Sequence, residues 1–246
     1  MITVSIVLYN TPQIQYESLI NDINKTKEIE KIYIIDNSPQ KNMYDLNIIH
    51  ATYEYILNDN TGYGSSHNIA LRKAILDGST YHIILNPDIQ FDASAIMELK
   101  EYMENHSDIV YILPKVVYPN GEIQYLCKLL PTPMDLIFRR FFPKNKFAEK
   151  LKSRYELRDS GYDKIINPPC LSGCFMFLRI DTIKDYKIFF DERYFMYLED
   201  FDLMRRLHRV GKTVYYPYVT IIHNHAKESY KSKKMLKIHI SSSIKY

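Results

Sequence analysis

Four short apolar runs, each stopping abruptly at Asn or Asp, constrain this chain more than any other feature. Thr3–Tyr9 (TVSIVLY) closes on Asn10-Thr11-Pro12, and Lys31–Ile35 (KIYII) on Asp36-Asn37-Ser38-Pro39. Tyr53–Leu57 closes on Asn58-Asp59-Asn60, and Tyr81–Leu85 (YHIIL) on Asn86-Pro87-Asp88. Short runs rich in β-branched residues and bounded by turn formers read as strands. Between the first two lies an amphipathic stretch, Gln13 to about Lys25, with Ile14, Ser18, Leu19 and Ile23 near one face. The stretch Asn60–Asn68 opens a helix to about Asp77, which Gly78 ends. Strands alternating with helices predict a parallel sheet with crossover helices. The polar strand ends then share one edge, which is where open α/β sheets bind ligands.

The fourth run is the most pointed. Ile83-Ile84-Leu85 reads as a strand buried on both faces. Pro87 cannot donate to a sheet ladder, so the strand stops and Asp88 is carried onto the loop. An amide and a carboxylate there suit a hard divalent cation, which takes oxygen ligands, although the same three residues also make an ordinary turn. Asn60-Thr-Gly62-Tyr-Gly64-Ser-Ser-His-Asn68 is equally open. Glycines before a helix let backbone approach a phosphate or sugar, and a plain helix cap would use the same residues.

The second half departs from strict alternation. Ser94 is read as the cap of a helix to about Asn105, Ile109–Leu113 as a strand, and Pro119-Asn120-Gly121 as a hairpin turn. Residues 127–159 mix Arg139, Arg140 and other cations with Phe138, Phe141 and Phe142, which suits a membrane-surface contact, a mobile flap or a solvated excursion. Leu171–Arg179 reads as a buried strand. Glu199, Asp200 and Asp202 open an amphipathic helix that Gly211 closes. The helix dipole favours acids in a first turn, and Asp202 can pair with Arg206, so Glu199 and Asp200 are the pair expected to act in a cleft. His223 and His225 follow a strand at Thr220–Ile222 and are candidate metal ligands. From Lys227 the chain is rich in lysine. Met235, Leu236, Ile240 and Ile244 line one face, as in a membrane-surface or partner helix. The pattern stops at Ile244-Lys245-Tyr246, so a truncated chain is expected.

Composition adds limits. Three cysteines, Cys127, Cys170 and Cys174, with no CxxC argue against a disulfide framework or zinc knuckle and fit a reducing compartment. No run approaches the roughly 18 apolar residues of a membrane span. A net charge of +3 is too mild to imply nucleic acid.

Taken in order, VSIVLYN, IIDNS, NTGYGSSHN, ILNPD, LSGCFMFLR, YLEDFDLMRRLHRVG and IIHNH resemble the family 2 glycosyltransferases of GT-A fold. The likeness leans to the rhamnosyltransferase-like branch that builds bacterial O-antigen and capsule sugars, and it covers nearly the whole chain. It implies an α/β fold with a Rossmann-like, mostly parallel sheet and a smaller antiparallel element in the second half. Residues 1–226 would form the transferase domain, with a nucleotide-sugar half (1–115) and an acceptor half (116–226) carrying the basic flap. Residues 227–246 would form a basic C-terminal helix.

The resemblance further implies an inverting transfer from a nucleotide-sugar donor, dTDP-rhamnose or a UDP-hexose, with Mg²⁺ or Mn²⁺. The acceptor would be a glycan or an undecaprenyl-diphosphate-linked sugar at the inner membrane surface, with the protein cytoplasmic and peripheral. Tyr9, Asp36, Asn60, Gly62, Asn68 and Asn86 would contact or underlie the donor. Asp88 and His223 would hold the metal, with His225 as the second choice. Asp200 would be the general base with Glu199 beside it, and Arg139 and Arg140 would meet acceptor or membrane. Three departures stand out: Asn86 replaces the first acid of Asp-x-Asp, IIDNSP lacks a glycine after Asn37, and the continuation past the final helix is missing. A nucleotidyltransferase would carry a glycine- and lysine/arginine-rich loop where Tyr9-Asn10-Thr11-Pro12 stands. A non-catalytic scaffold would not need Asp36, Asp88, Glu199 and Asp200 together.

Overall fold

The computed structural model describes residues 1–40, 44–131, 146–224 and 233–246. In the first part β1 (Ile2–Leu8), α1 (Gln13–Lys25), β2 (Ile29–Asp36), β3 (Thr52–Leu57), α2 (Tyr63–Leu76) and β4 (Tyr81–Leu85) alternate as expected. β1 runs parallel to β2 and β4, and β2 parallel to β3. All five residues of β4 are buried, as its unbroken apolar run requires. β3 is the edge strand and is half-exposed.

The second part supplies β5 (Ile89–Phe91), α3 (Ala93–Asn105), β6 (Ile109–Val117), α4 (Lys146–Tyr155), β7 (Phe175–Arg179), α5 (Ile180–Tyr186), α6 (Glu199–Leu207), β8 (Lys212–His223) and α7 (Lys233–Lys245). They extend the same sheet to eight strands in the order β3-β2-β1-β4-β7-β6-β8-β5. β7 is antiparallel to β4 and β6, β6 is parallel to β8, and β5 closes the edge antiparallel to β8. The architecture is thus the expected mostly parallel α/β sheet with an antiparallel part in the second half.

One connection sets its shape. Between Leu85 and Ile89 the chain passes from the fourth position of the sheet to the last. Four residues reach at most about 14 Å, whereas four strand spacings in a flat sheet measure about 19 Å. The β7-β6-β8-β5 half therefore curls back over the strand ends, and Asn86-Pro87-Asp88 sits in the fold of that curl. Ile6, Ile34, Ile84, Ile112, Phe177 and Leu203, all fully buried, belong to the core on which the strands and helices pack.

Several local expectations change. Ile14 does not join the packed face of α1; it is 78% exposed, while Tyr16, Leu19, Ile20 and Ile23 are buried. Asp92, not Ser94, caps α3, accepting the Ser94 N–H at 3.4 Å. Only Phe175–Arg179 of the 171–179 run is strand, because Ser172 and Gly173 turn away to take hydrogen bonds from Tyr111 and Tyr63 on their carbonyls. α6 ends at Leu207 rather than at Gly211; a Cβ on Gly211 would lie 2.2 Å from Val110. The Pro119-Asn120-Gly121 turn is present, with the Tyr118 N–H donating to the Glu122 carbonyl at 2.8 Å.

Candidate functional site

Two joined hollows, of about 1190 and 580 Å³, open at the polar ends of β1, β2 and β4 and share Tyr9, Asn37, Asn60, Phe195 and Ile238. The larger carries Asn86, Asp88, Gly173, Glu199, Asp200 and His223; the smaller carries Ser38, Pro39, Asn58 and Asp59. Met235 and Ile238 bring α7 to the larger hollow. The lysine-rich C-terminal helix thus reaches the cleft with one face, while Ile240 and Ile244 on it remain exposed.

At one wall, sheet register brings together two residues far apart in sequence. Ile89 pairs with His223, and the Asn224 N–H donates to the Asp88 carbonyl at 3.0 Å. His223 Nε2 then lies 3.3 Å from Asp88 Oδ1 and 3.4 Å from Asn86 Nδ2. Burial works against a charged His223 ring, but the Cys174 sulfur and the hydrogen-bonded Asp88 carboxylate outweigh it, and the group is pushed up to about 10. Among the described residues no three His, Cys, Asp or Glu side chains gather around one point. One carboxylate and one imidazole converging on an open cleft nevertheless fit Mg²⁺ or Mn²⁺, which keeps waters and takes its other ligands from substrate phosphates.

Into the same cleft α6 presents Glu199 and Asp200. Tyr197 and Leu198 before them both hold left-handed backbone, at φ 68° and 66°, a conformation that costs non-glycine residues about 1–3 kcal/mol each and persists only where packing enforces it. Leu198 is buried in a second cluster with Tyr155, Cys170, Tyr194 and Phe201, and the Ser242 hydroxyl donates to the Met196 carbonyl at 2.8 Å. The two carboxylates are treated differently. Asp200 accepts N–H groups from Gly173 (3.2 Å) and Phe201 (2.9 Å). Glu199 is 6% exposed, and its Oε2 has no hydrogen-bond partner among the described residues. Burial, then the Asp200 charge, push Glu199 up to about 8; burial also raises Asp200, with Lys128 pulling the other way. A proton shared by the pair therefore resides on Glu199 and the negative charge on Asp200, where two N–H groups already point.

At the other end, Asn37, Asn58 and Ser66 interlock: Asn37 Nδ2 donates to Ser66 Oγ at 2.7 Å, and Asn58 Nδ2 to Asn37 Oδ1 at 2.9 Å. Asp36 is 1% exposed and occupied by the Tyr55 hydroxyl and the Ser38 N–H, so Asn37 and Ser38, not Asp36, face the hollow. Tyr9 and Asn60 line both hollows. Gly62, at φ 110°, starts α2 with the Phe195 backbone against it, where a Cβ would lie 2.3 Å from the carbonyl oxygen. Asn68 is buried outside the cleft. It accepts the Phe190 N–H at 2.9 Å and donates to the Phe190 carbonyl and to Glu192.

Of the expected site residues, the cleft thus gathers Tyr9, Asn60, Asn86, Asp88, Glu199, Asp200 and His223, with Gly62 behind it. Arg139, Arg140 and His225 lie outside the described residues. Sequence reading missed Tyr63, whose hydroxyl lies 2.9 Å from both Asn86 Oδ1 and the Gly173 carbonyl. It also missed Gln124, which contacts His223. The tyrosine lay inside a motif already singled out; nothing local marks the glutamine.

No protein-family model matches the chain. It is 26% identical over 241 residues to rhamnosyltransferase WbbL of Escherichia coli K12, covering 94% of this chain and 86% of that protein. It is 28% identical over 152 residues to an N-acetylglucosaminyl-diphospho-decaprenol L-rhamnosyltransferase of Mycobacterium tuberculosis, covering 58% of this chain and 47% of that one. Among solved structures, GalNAc-T7 with UDP, GalNAc and Mn²⁺ superposes with TM-score 0.67 at 15% identity, over 97% of this chain and 46% of that one. S. aureus TarS 1-349 in complex with UDP-GlcNAc superposes with TM-score 0.61 at 14% identity, over 96% and 64%. The chain therefore spans most of the E. coli relative but about half of the mycobacterial one. The structural likenesses establish a shared fold.

Proposed function

We propose that this chain, as a family 2 glycosyltransferase of GT-A fold, transfers a sugar, with inversion, from a nucleoside-diphosphate sugar to an acceptor hydroxyl in polysaccharide synthesis. The observation that carries this reading is that Asp88–His223 and Glu199–Asp200 line one cleft, together with Gly173, whose N–H meets Asp200. The donor is dTDP-rhamnose or a UDP-hexose. The acceptor is a glycan or a lipid-diphosphate-linked sugar, in keeping with the diphospho-decaprenol substrate for which the mycobacterial relative is named.

A hydroxyl near neutral pH is a poor nucleophile, so Asp200 accepts its proton as the oxygen attacks the anomeric carbon. The bond from that carbon to the diphosphate breaks on the opposite face, which inverts the centre. Asp88 and His223 would hold a divalent cation, whose Lewis acidity offsets charge developing on the diphosphate. Tyr9, with Asn37 and Ser38, forms the wall against which the nucleoside lies. Arg139 and Arg140 remain proposed contacts to acceptor or membrane. No helix among the described residues is long and apolar enough to cross a bilayer. A lipid-linked acceptor, such as the mycobacterial relative is named for, would bring the protein peripherally to the inner membrane face. Residues 1–115 supply most of the donor groups and residues 116–226 the acceptor side, with His223 reaching back from the second half to Asp88.

Thermal unfolding with UDP, dTDP and GDP, each with and without Mn²⁺, tests this beside Asp88→Ala. A ligand at 100 times its Kd adds about 2.7 kcal/mol of stability. One nucleotide should stabilise the protein only with metal, and Asp88→Ala should abolish the effect. Stabilisation by none of them would overturn the reading in favour of a non-catalytic relative.

A further inference from the structure

Gln124 follows the turn after β6 and is 4% exposed, behind the cleft rather than in it. Its Nε2 faces two backbone carbonyls, those of His223 at 2.7 Å and Val117 at 3.4 Å. Carbonyls only accept, so the amide orientation is determined: the nitrogen must be on that side. Oε1 is then the atom 3.0 Å from His223 Nδ1, and an amide oxygen cannot donate. Nδ1 must therefore carry a proton in every state of the ring. Any lone pair that His223 offers is on Nε2, the nitrogen 3.3 Å from Asp88 Oδ1.

We propose that Gln124 is a positioning residue that fixes the tautomer of His223, presetting Nε2 as a divalent-cation ligand beside Asp88. The inference rests on the metal-binding part of the function proposed above. It adds that this chain commits a buried glutamine, 99 residues away, to which nitrogen faces the cation. The bond between Gln124 Nε2 and the His223 carbonyl locks the strand end and so the ring's approach; the bond from Nδ1 locks its chemistry. Outer partners of this kind are typically worth about 10–100-fold in metal affinity.

The test uses the whole chain and Mn²⁺ alone, with free Mn²⁺ followed by electron paramagnetic resonance. Wild type is compared with His223→Gln, Gln124→Met and Gln124→Glu. His223→Gln should weaken binding, Gln124→Met should weaken it about 10–100-fold, and Gln124→Glu should recover most of the loss. The rescue is diagnostic. A carboxylate accepts the Nδ1 proton but cannot donate to the two carbonyls, so a role limited to bracing the strand would leave Gln124→Glu as weak as Gln124→Met. Equal weakness of the two, or wild-type affinity in Gln124→Met, overturns the tautomer role while the metal reading stands. Should Gln124→Met fail to fold, Gln124→Glu decides: near-wild-type affinity supports the inference and a loss matching His223→Gln overturns it. Absence of Mn²⁺ binding in wild type removes the metal reading, and this inference with it.

Discussion

The hydroxyl of Tyr63 lies 2.9 Å from Oδ1 of Asn86, at the point where the chain leaves the centre of the sheet for its far edge. The same hydroxyl reaches the Gly173 carbonyl, and the Tyr63 N–H donates to the Phe195 carbonyl at 3.0 Å. One residue thus ties together the Asn-Pro-Asp turn, the loop whose N–H meets Asp200, and the loop that leads into α6. Tyr63→Phe keeps the ring and the backbone bond and removes only the tie. It should cost about 0.5–1.5 kcal/mol of stability and lower kcat by about 10–100-fold, since a misplacement near 1 Å costs that much. Nucleotide affinity should stay close to wild type. Steady-state kinetics beside a nucleotide titration check this, and an equal loss in both would mean that Tyr63 contacts the donor directly.

Gly62→Ala attacks the same junction from the other side. At φ 110° an L side chain is strained, and its Cβ would meet backbone rather than a flexible side-chain tip. The Phe195 loop must move, so the variant should lose at least about 2 kcal/mol and bind nucleotide weakly. Thermal unfolding with and without nucleotide reads both effects. A wild-type melting curve would show that the loop yields freely.

Much of this was legible because it is local. The bounds of α1 and β4 can be read from Gln13–Lys25 and Tyr81–Leu85, and the polar strand ends predict where a cleft lies. The missing parts share a cause. β5 has three residues, too few to display a period, yet its pairing with β8 delivers His223 to Asp88. Gln124 acts through a partner 99 residues away, and its own neighbourhood carries no mark of it; Gly173 lies inside the LSGCFMFLR motif, but nothing there tells that its N–H meets Asp200, 27 residues on. Ile14 sits on an apolar stripe that helical spacing assigns to the core, but the curl of the sheet leaves a cleft there instead.

Asn68 separates family expectation from geometry. The resemblance puts it in the loop beneath the donor, whereas its amide is spent on Phe190 and Glu192, away from the cleft. Asn68→Ala leaves the buried Phe190 N–H without its acceptor, which should cost about 1–3 kcal/mol. Nucleotide affinity measured well below the melting temperature should not change. A selective loss of affinity with intact stability would restore Asn68 to the donor site.

The Glu199–Asp200 pair makes a signed prediction in pH. Glu199 titrates near its ordinary 4.5 when unfolded and is pushed up to about 8 in the fold by burial and then by Asp200. A group raised in this way favours the native state fully below about pH 4.5, and that stabilisation drains away as pH rises through about 8. Glu199→Gln does not titrate and mimics the protonated form. It should melt like wild type near pH 4.5 and be more stable above pH 8, by about 1–3 kcal/mol, the usual cost of an unsatisfied buried polar group. Because the charge resides on Asp200, Glu199→Gln should also keep most of its turnover, whereas Asp200→Asn should lose about 10²–10⁴-fold. Melting curves across that pH range, with turnover of both variants, decide the matter. If Glu199→Gln is the inactive one and Asp200→Asn the stabilised one, the proton and the charge sit the other way round, and Glu199 is the base.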